Sequence, residues 1–321
     1  MRWVDRIGRR FKLRDLHILV AVVQRGSMAK AAADLAISQP AVSKAISDME
    51  HMLGLRLLDR SRSGMEPTAY GRALVIRGRA IFDELKQGVE ELAFLSDPSV
   101  GELRIGSTES VAAAFLPAVI RRFSLEQPRV RLDVAQTVMS TLHYRELREH
   151  SIDLLIGRVP APFEENDLEA EVVYNDDAVV IAGQQSKWAK SRRLKLTDLA
   201  GERWILPPPD TMHGAAVQTL FRDNGAEIPP TPLTTLSIHL CLRLVAGAQF
   251  VTILPASVLG FGNRDESLKV LPIKIPMKRR PVAIVTLKNR TRSPAAKLFI
   301  ECVHRTVKED VKAPRNSYSE K

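Results

Sequence analysis

The chain has 321 residues, 45% of them hydrophobic, with two cysteines and a formal net charge of +10; that is more material than one hydrophobic core usually organises, so more than one domain is expected. Two cysteines exclude a disulfide-stapled scaffold, and with no apolar run of about 18 residues and no signal-peptide core the expectation is a cytoplasmic protein without a membrane segment. The charge is uneven: residues 1–68 hold 12 Lys/Arg against 7 Asp/Glu, residues 274–321 hold 13 against 4, and the middle holds 22 against 26. A basic N-terminal region suits phosphate binding, whereas the basic C-terminal stretch reads as a solvated tail and helix face.

The opening MRWVDRIGRRFKLR is basic. Residues 1–12 read as an arm that touches DNA, as a loosely ordered extension, or as a matter of start-site choice. Ser27 is placed to cap a helix over Met28–Leu35, and Ser38 to cap another over Gln39–Leu53. In the second helix Val42, Ile46, Met49 and Leu53 recur at helical spacing and form an inward stripe, while Gln39, Ser43, Lys44 and Ser47 point elsewhere. Two short helices with a tight turn, the second presenting small polar groups, are what a reader of the DNA major groove needs. Gln39 can bond base edges, Lys44 a phosphate or a guanine, and the Ser38 and Ser43 hydroxyls can position the backbone. Residues 57–68 read as a turn-rich wing whose Arg60 and Arg62 reach phosphate or the minor groove.

An Ala-rich helical pair alone fits many globular proteins. The order from Leu13 to Gly71, including Ala32, Leu35, Ile37, Ser38, Gln39, Pro40, Ala41, Val42 and Ser43 at fixed spacing, resembles the winged helix-turn-helix of LysR-type transcriptional regulators. The resemblance implies double-stranded DNA as partner and Ser38, Gln39, Pro40, Ser43, Lys44, Arg60 and Arg62 as contacts. Where relatives often carry an arginine this chain has Ser63, with Arg62 beside it.

Ala69–Ser96 contains no proline and carries a heptad-like seam at Leu74, Gly78, Ile81, Leu85, Gly88, Leu92 and Leu95. The spacing reads as a two-stranded helical contact or as an ordinary amphipathic helix packed on its own domain. Asp97-Pro98-Ser99-Val100-Gly101 then breaks the helix. In the resembling family this is the linker helix that pairs two protomers, which implies a homodimer assembling to a homotetramer, with RNA polymerase as a further partner.

From Glu102 the period changes. The strands LRIGS, VRLDVAQ and IDLLIG alternate with helical patterns at Val111–Leu125 and Leu142–Glu149, followed by AVVIAG (Ala178–Gly183), the segment Arg203–Leu206, helices Gly214–Asn224 and Ile238–Ala246, and FVTILP. Strand LPIKI at 271–275, strand Pro281–Leu287 and helix Ser293–Lys308 look like a return to the first lobe. The expected fold is therefore mixed. An N-terminal all-α winged helix-turn-helix covers residues 13–71 and a long linker helix 72–98. A two-lobed α/β effector domain covers 102–305, with lobe one at about 102–160 and 270–305, lobe two at about 163–268, and a polar tail at 306–321. This half is similar to the effector-binding part of the same family, itself like periplasmic binding proteins, with a ligand cleft between the lobes. LRIGSTESVAAAFLP and RELREHSIDLLIG resemble the branch linked to sugar-uptake regulation.

In open α/β sheets small molecules bind at the carboxyl ends of strands, where helix N-termini aim N–H groups outward. Thr108 and Ser110 follow the first such strand. Ser110 matches a family position for a ligand-contacting hydroxyl and Ser140 a second, while Pro208, Thr211 and Gly247 belong to the segments of the opposite wall. Each hydroxyl also reads as a helix cap. Arg158 meets an anionic group or covers the surface; His213 and His239 read as structural, and Cys241 and Cys302 as reduced packing residues. The effector is a sugar or an organic acid. No G-x-S-x-G, P-loop, H-E-x-x-H or G-x-G-x-x-G pattern occurs, so neither catalysis, metal nor cofactor is expected. The alternatives are a DNA-binding head fused to an enzyme domain and an architectural DNA-binding protein.

Overall fold

The computed structural model describes residues 11–61, 64–97, 99–137, 144–229, 231–260, 265–275 and 280–312. Arg62, Ser140 and residues 1–10 of the basic extension lie outside these. The chain divides into two compact units, Met1–Val89 with Arg148–His150, and Glu90–Leu147 with Ser151–Lys321.

In the first unit, α1 (Leu13–Arg25), α2 (Met28–Asp34) and α3 (Gln39–Leu53) enclose one core. Helix α2 has only two buried alanines, Ala31 and Ala32, so it cannot hold itself by burial. Helix α1 supplies what it lacks, with Leu19 and Val22 fully buried against Val42, Ile46 and Met49 of α3. The Ser27 and Ser38 hydroxyls accept from the backbone N–H of Lys30 and Ala41, each at 3.4 Å, as the capping pattern requires. Pro40 lies in the first turn of α3, where its missing N–H leaves no ladder bond unmade.

The wing is a two-stranded antiparallel ribbon of β1 (Leu58–Ser61) and β2 (Gly64–Pro67). Contacts with α3 and α1 help tie it to the helices. Glu50 of α3 accepts from the backbone N–H of Leu57 at 2.7 Å and of Leu58 at 3.1 Å. Gly26 ends α1 in the left-handed region (φ 62°), which glycine adopts without steric cost, and its carbonyl accepts from Met65 N at 2.8 Å. Helix α4 runs over Ala69–Ser96. Thr68 starts it, its hydroxyl accepting from Gly71 N at 3.0 Å and donating to the Arg56 carbonyl at 2.8 Å.

The second unit contains two five-stranded sheets. The first comprises β3 (Gly101–Ser107), β4 (Val130–Gln136), β5 (Leu154–Arg158), β6 (Leu168–Asp176) and β12 (Arg280–Leu287), in the order β4-β3-β5-β12-β6. The second comprises β7 (Ala178–Gly183), β8 (Trp204–Leu206), β9 (Leu233–Thr234), β10 (Val251–Pro255) and β11 (Leu268–Val270), in the order β11-β7-β10-β8-β9. Helices α5 (Glu109–Ala113), α6 (Leu116–Glu126), α7 (Arg145–Arg148), α8 (Met212–Asp223), α9 (Ile238–Ala246) and α10 (Pro294–Lys312) accompany them. Strands covered on both faces read as continuous apolar runs, and every residue of β10 is buried. On the first sheet Phe123 meets Phe299 edge-on at 5.1 Å. On the second, Trp204 meets Phe221 at 5.2 Å and donates its indole N–H to the Leu199 carbonyl at 2.9 Å.

Several elements depart from the sequence reading. The single helix expected over Val111–Leu125 is two, because Pro117 in the first turn of α6 cannot continue a ladder from α5. Residues 271–275 form no strand; the strand is β11, which pairs with β7 in the second sheet. β6, within the span given to lobe two, pairs along its length with β12 in the first sheet. The chain therefore changes sheets between Asp176 and Ala178 and again between Val270 and Arg280. Helix α10 extends to Lys312, into the span read as a polar tail. Among the described residues no helix is long and apolar enough to cross a membrane.

A Cβ added to Gly71 would lie 2.0 Å from the Leu57 carbonyl oxygen, so α4 can leave the wing on this path only with glycine there. Gly71→Ala is expected to destabilise the first unit by roughly 1–3 kcal/mol, the range for overpacking. Thermal unfolding of the variant beside the parent chain measures this.

Candidate nucleic-acid interface and ligand cleft

The stripe that buries α3 fixes what its other face shows. With Val42, Ile46 and Met49 at 3% exposure or less, Ser38, Gln39, Pro40, Ser43 and Lys44 are all exposed, together on the start and outer side of the helix. The α3 start also carries the positive end of the helix dipole, which favours an approaching phosphate. Arg60 is exposed on β1 of the wing. Sequence reasoning did not single out Glu50, which sets the wing against α3 through two backbone bonds; a carboxylate among polar neighbours carries no pattern that marks it as a brace.

Helix α4 bears its expected seam unevenly. Gly78 is buried, but Ile81, Leu85, Leu92 and Leu95 are 43% to 74% exposed. An exposed apolar row of this length on one helix is unusual for a surface facing only water.

In the second unit a cavity of about 130 Å³ lies at the carboxyl ends of strands from both sheets. Thr108 and Ser110 reach it from the turn into α5 after β3, Gln136 and Thr137 from the end of β4, and Arg158 from β5; Pro207 and Thr211 of the β8–α8 connection and His213 in the first turn of α8 also line it. Arg280, the first residue of β12, lines it as well. Of the expected ligand residues, Thr108, Ser110 and Thr211 are brought together here. Pro208 and Gly247 are not: Pro208 closes a turn, its carbonyl accepting from the Thr211 N–H at 3.1 Å, and Gly247 caps α9. Pro207 takes the place expected for Pro208.

The hydroxyls divide. Thr211 caps α8, accepting from Gly214 N at 3.0 Å and donating to the Pro208 carbonyl at 2.7 Å. Thr108 occupies the cap position of α5 without making the cap bond, and its Oγ1, like that of Thr137, is buried with no hydrogen-bond partner among the described residues. Glu109 spans the cleft, accepting from Gln136 Nε2 at 2.9 Å and from Ile238 N, at the start of α9, at 3.2 Å.

Arg158 is held at the rim of its sheet. Its Nη2 donates to the Asp176 carbonyl at 3.3 Å and its Nη1 lies 3.7 Å from the Asp176 carboxylate. Burial pulls the Arg158 pKa below its ordinary value and pushes that of Asp176 above its own, so an ion pair this long recovers only part of the desolvation. Arg158 Nε and Nη1 make no hydrogen bond among the described residues. Burial also lowers the pKa of Arg280, with Arg158 adding to the effect.

His213, read from the sequence as structural, lines the cavity. Burial, and then the charges of Arg158 and Arg280, bring its pKa down to about 4, while a bond to the Ile253 carbonyl opposes the shift. His239 is exposed, and Cys241 and Cys302 are free and buried. With its folded pKa below the unfolded value of 6.5, His213 takes up its proton only on unfolding at mildly acid pH, so stability falls as the pH drops through that window. Between about pH 7 and about pH 5 this should cost the parent about 2 kcal/mol more than His213→Gln. Urea unfolding of both at the two pH values checks it.

Comparison with known proteins bears on both sites. The model of the LysR substrate binding domain matches residues 96–308, and that of the bacterial regulatory helix-turn-helix protein, lysR family, matches residues 13–72. The chain is 28% identical over 289 residues to the HTH-type transcriptional regulator GbpR of Azospirillum brasilense, covering 90% of this chain and 84% of that one. It is 26% identical over 291 residues to the HTH-type transcriptional regulator TdcA of Escherichia coli, covering 90% and 91%. Among solved structures, full-length OxyR from Pseudomonas aeruginosa shares the fold with a TM-score of 0.68 at 21% identity, over 93% of this chain and 95% of that one. With a matched helix-turn-helix at one end and a matched two-lobed substrate-binding domain over most of the remainder, the chain belongs to the LysR family of transcriptional regulators.

Proposed function

We propose that this regulator reads a specific sequence in double-stranded DNA, in the cytoplasm, and responds to a small organic effector, a sugar or an organic acid, held between its two α/β lobes. The observation that carries the reading is the division of α3 into a fully buried apolar stripe and an exposed polar face. Ser38, Gln39, Pro40, Ser43 and Lys44 on that face, with Arg60 and Arg62 of the wing, are the proposed DNA contacts. Gln39 is assigned to a base edge and Lys44 to a phosphate or guanine. Thr108, Ser110, Ser140 and Thr211 are the proposed effector contacts.

The exposed apolar row of α4 supports a homodimer joined along this helix, which assembles to a homotetramer and acts with RNA polymerase. Two joined heads meet two half-sites, and an effector shifts the assembly by its differential affinity for the assembly's states.

Gel-shift titration on the intergenic DNA beside the gene, with a matched random fragment as competitor and salt varied, tests the DNA reading. Saturable, competitor-resistant binding is expected, with Gln39→Ala and Lys44→Ala each weakening it by roughly 1–3 kcal/mol and base discrimination falling most for the residue that reads a base edge. Unchanged affinity in both variants would overturn the contact assignment. For the assembly, Leu85→Glu with Leu92→Glu should break the contact along α4 and so lower the mass of the assembly in sedimentation velocity, while leaving the helical content intact.

A further inference from the structure

Building on the reading of the cleft as the effector site, we infer that its occupant is a small organic carboxylate, its head between Arg158 and Arg280 and its apolar body beside Leu206, Pro207, Met212 and Ile253. The placement follows from strand pairing. β5 and β12 are antiparallel with Arg158 opposite Val282, and Arg280 stands two residues from Val282 on the same face. The two arginines are therefore diagonal cross-strand neighbours, with Cβ atoms roughly 7–8 Å apart or somewhat less, the span a carboxylate bridges between two guanidinium groups.

Like charges so placed, and partly desolvated, repel unless an anion joins them. Two of the acidic groups nearby are engaged elsewhere. Glu109 is engaged by Gln136 and the start of α9. Asp176 is engaged by Ser257, whose N–H donates at 3.1 Å and hydroxyl at 2.6 Å, and it lies no nearer to Arg158 Nη1 than 3.7 Å. Arg158 Nε and Nη1 and the Thr108 and Thr137 hydroxyls are left with unused hydrogen-bonding capacity among the described residues. From the opposite wall the 12-residue helix α8 presents its positive end at Met212 and His213. A neutral sugar would leave two neighbouring guanidinium groups with only the long Asp176 contact to offset their charge. The volume of about 130 Å³ is slightly below that of an engineered cavity that admits benzene, so it suits a small occupant of about six heavy atoms, with a longer body only where the cavity opens.

Calorimetric titration of the purified full chain with butyrate, hexanoate and benzoate, against hexanamide, benzamide, glucose and inorganic phosphate, tests this. At least one carboxylate should bind, with its amide at least roughly tenfold weaker, and Arg280→Gln and Arg158→Gln should each weaken it by roughly tenfold or more. Arg280→Gln should leave the ligand-free melting temperature unchanged or raised, because it removes a like-charge neighbour; a purely structural arginine would lower it. Arg280→Lys, which keeps the charge, should restore part of the affinity.

Equal binding of acid and amide, preference for phosphate, undiminished binding in both Gln variants, or no carboxylate binding at all would overturn the inference. Glucose binding that is abolished by the cleft-filling Met212→Trp would overturn it while leaving the cleft as the effector site. Carboxylate binding that survives Met212→Trp would overturn the cleft reading as well.

Discussion

The architecture of the second unit turns on Asp176. The chain must pass from one sheet to the other and return, and Asp176 ends β6 at the first passage with 4% of its surface exposed. Its carboxylate accepts from Ser257, just after β10 of the second sheet, while its carbonyl holds Arg158 at the end of β5 of the first. One buried acid thus fastens the two sheets at the crossing and aims a guanidinium group into the cleft beside it. Burying it is costly, and the bonds it makes only partly offset that cost, so its neighbours are fixed tightly.

The cleft inherits its chemistry from that geometry. Parallel strands β3, β4 and β5 deliver Thr108, Gln136 and Arg158 to one rim because their carboxyl ends lie side by side. Antiparallel β12 enters from the opposite direction and brings Arg280 to the same rim with its first residue. The two positive charges meet there although Arg158 and Arg280 are separated in the chain by the whole of the second sheet. Glu109, bonded to the start of α9, links the walls directly, so an occupant that displaced this bond or strengthened it would change how the lobes close.

The reading head works by a simpler economy. Its smallest helix buries alanines, which lets α1 and α3 approach closely, and the brace from Glu50 and the turn at Gly26 then set the wing. The exposed polar groups on α3 need no support of their own, since each position on the helix is fixed by the stripe behind it.

Local patterns in the sequence already determined much of this. Ser38 and the stripe from Val42 to Met49 gave the bounds of α3 and its exposed face, because capping and helical periodicity are local. The uninterrupted run from Ala69 to Ser96 gave α4 for the same reason, and the apolar runs gave most strands. The break at Pro117 was legible but overridden by the surrounding apolar pattern. What local patterns could not decide was partnership between distant segments: that β6 belongs with β12, that Pro207 rather than Pro208 meets the cavity, and that His213 lines it. Arg280 is the clearest case. In the sequence it belongs to a basic stretch that reads as a solvated face, and only the antiparallel register of β12 on β5, a long-range choice made by packing both faces of a sheet, turns it into one wall of a charged cleft.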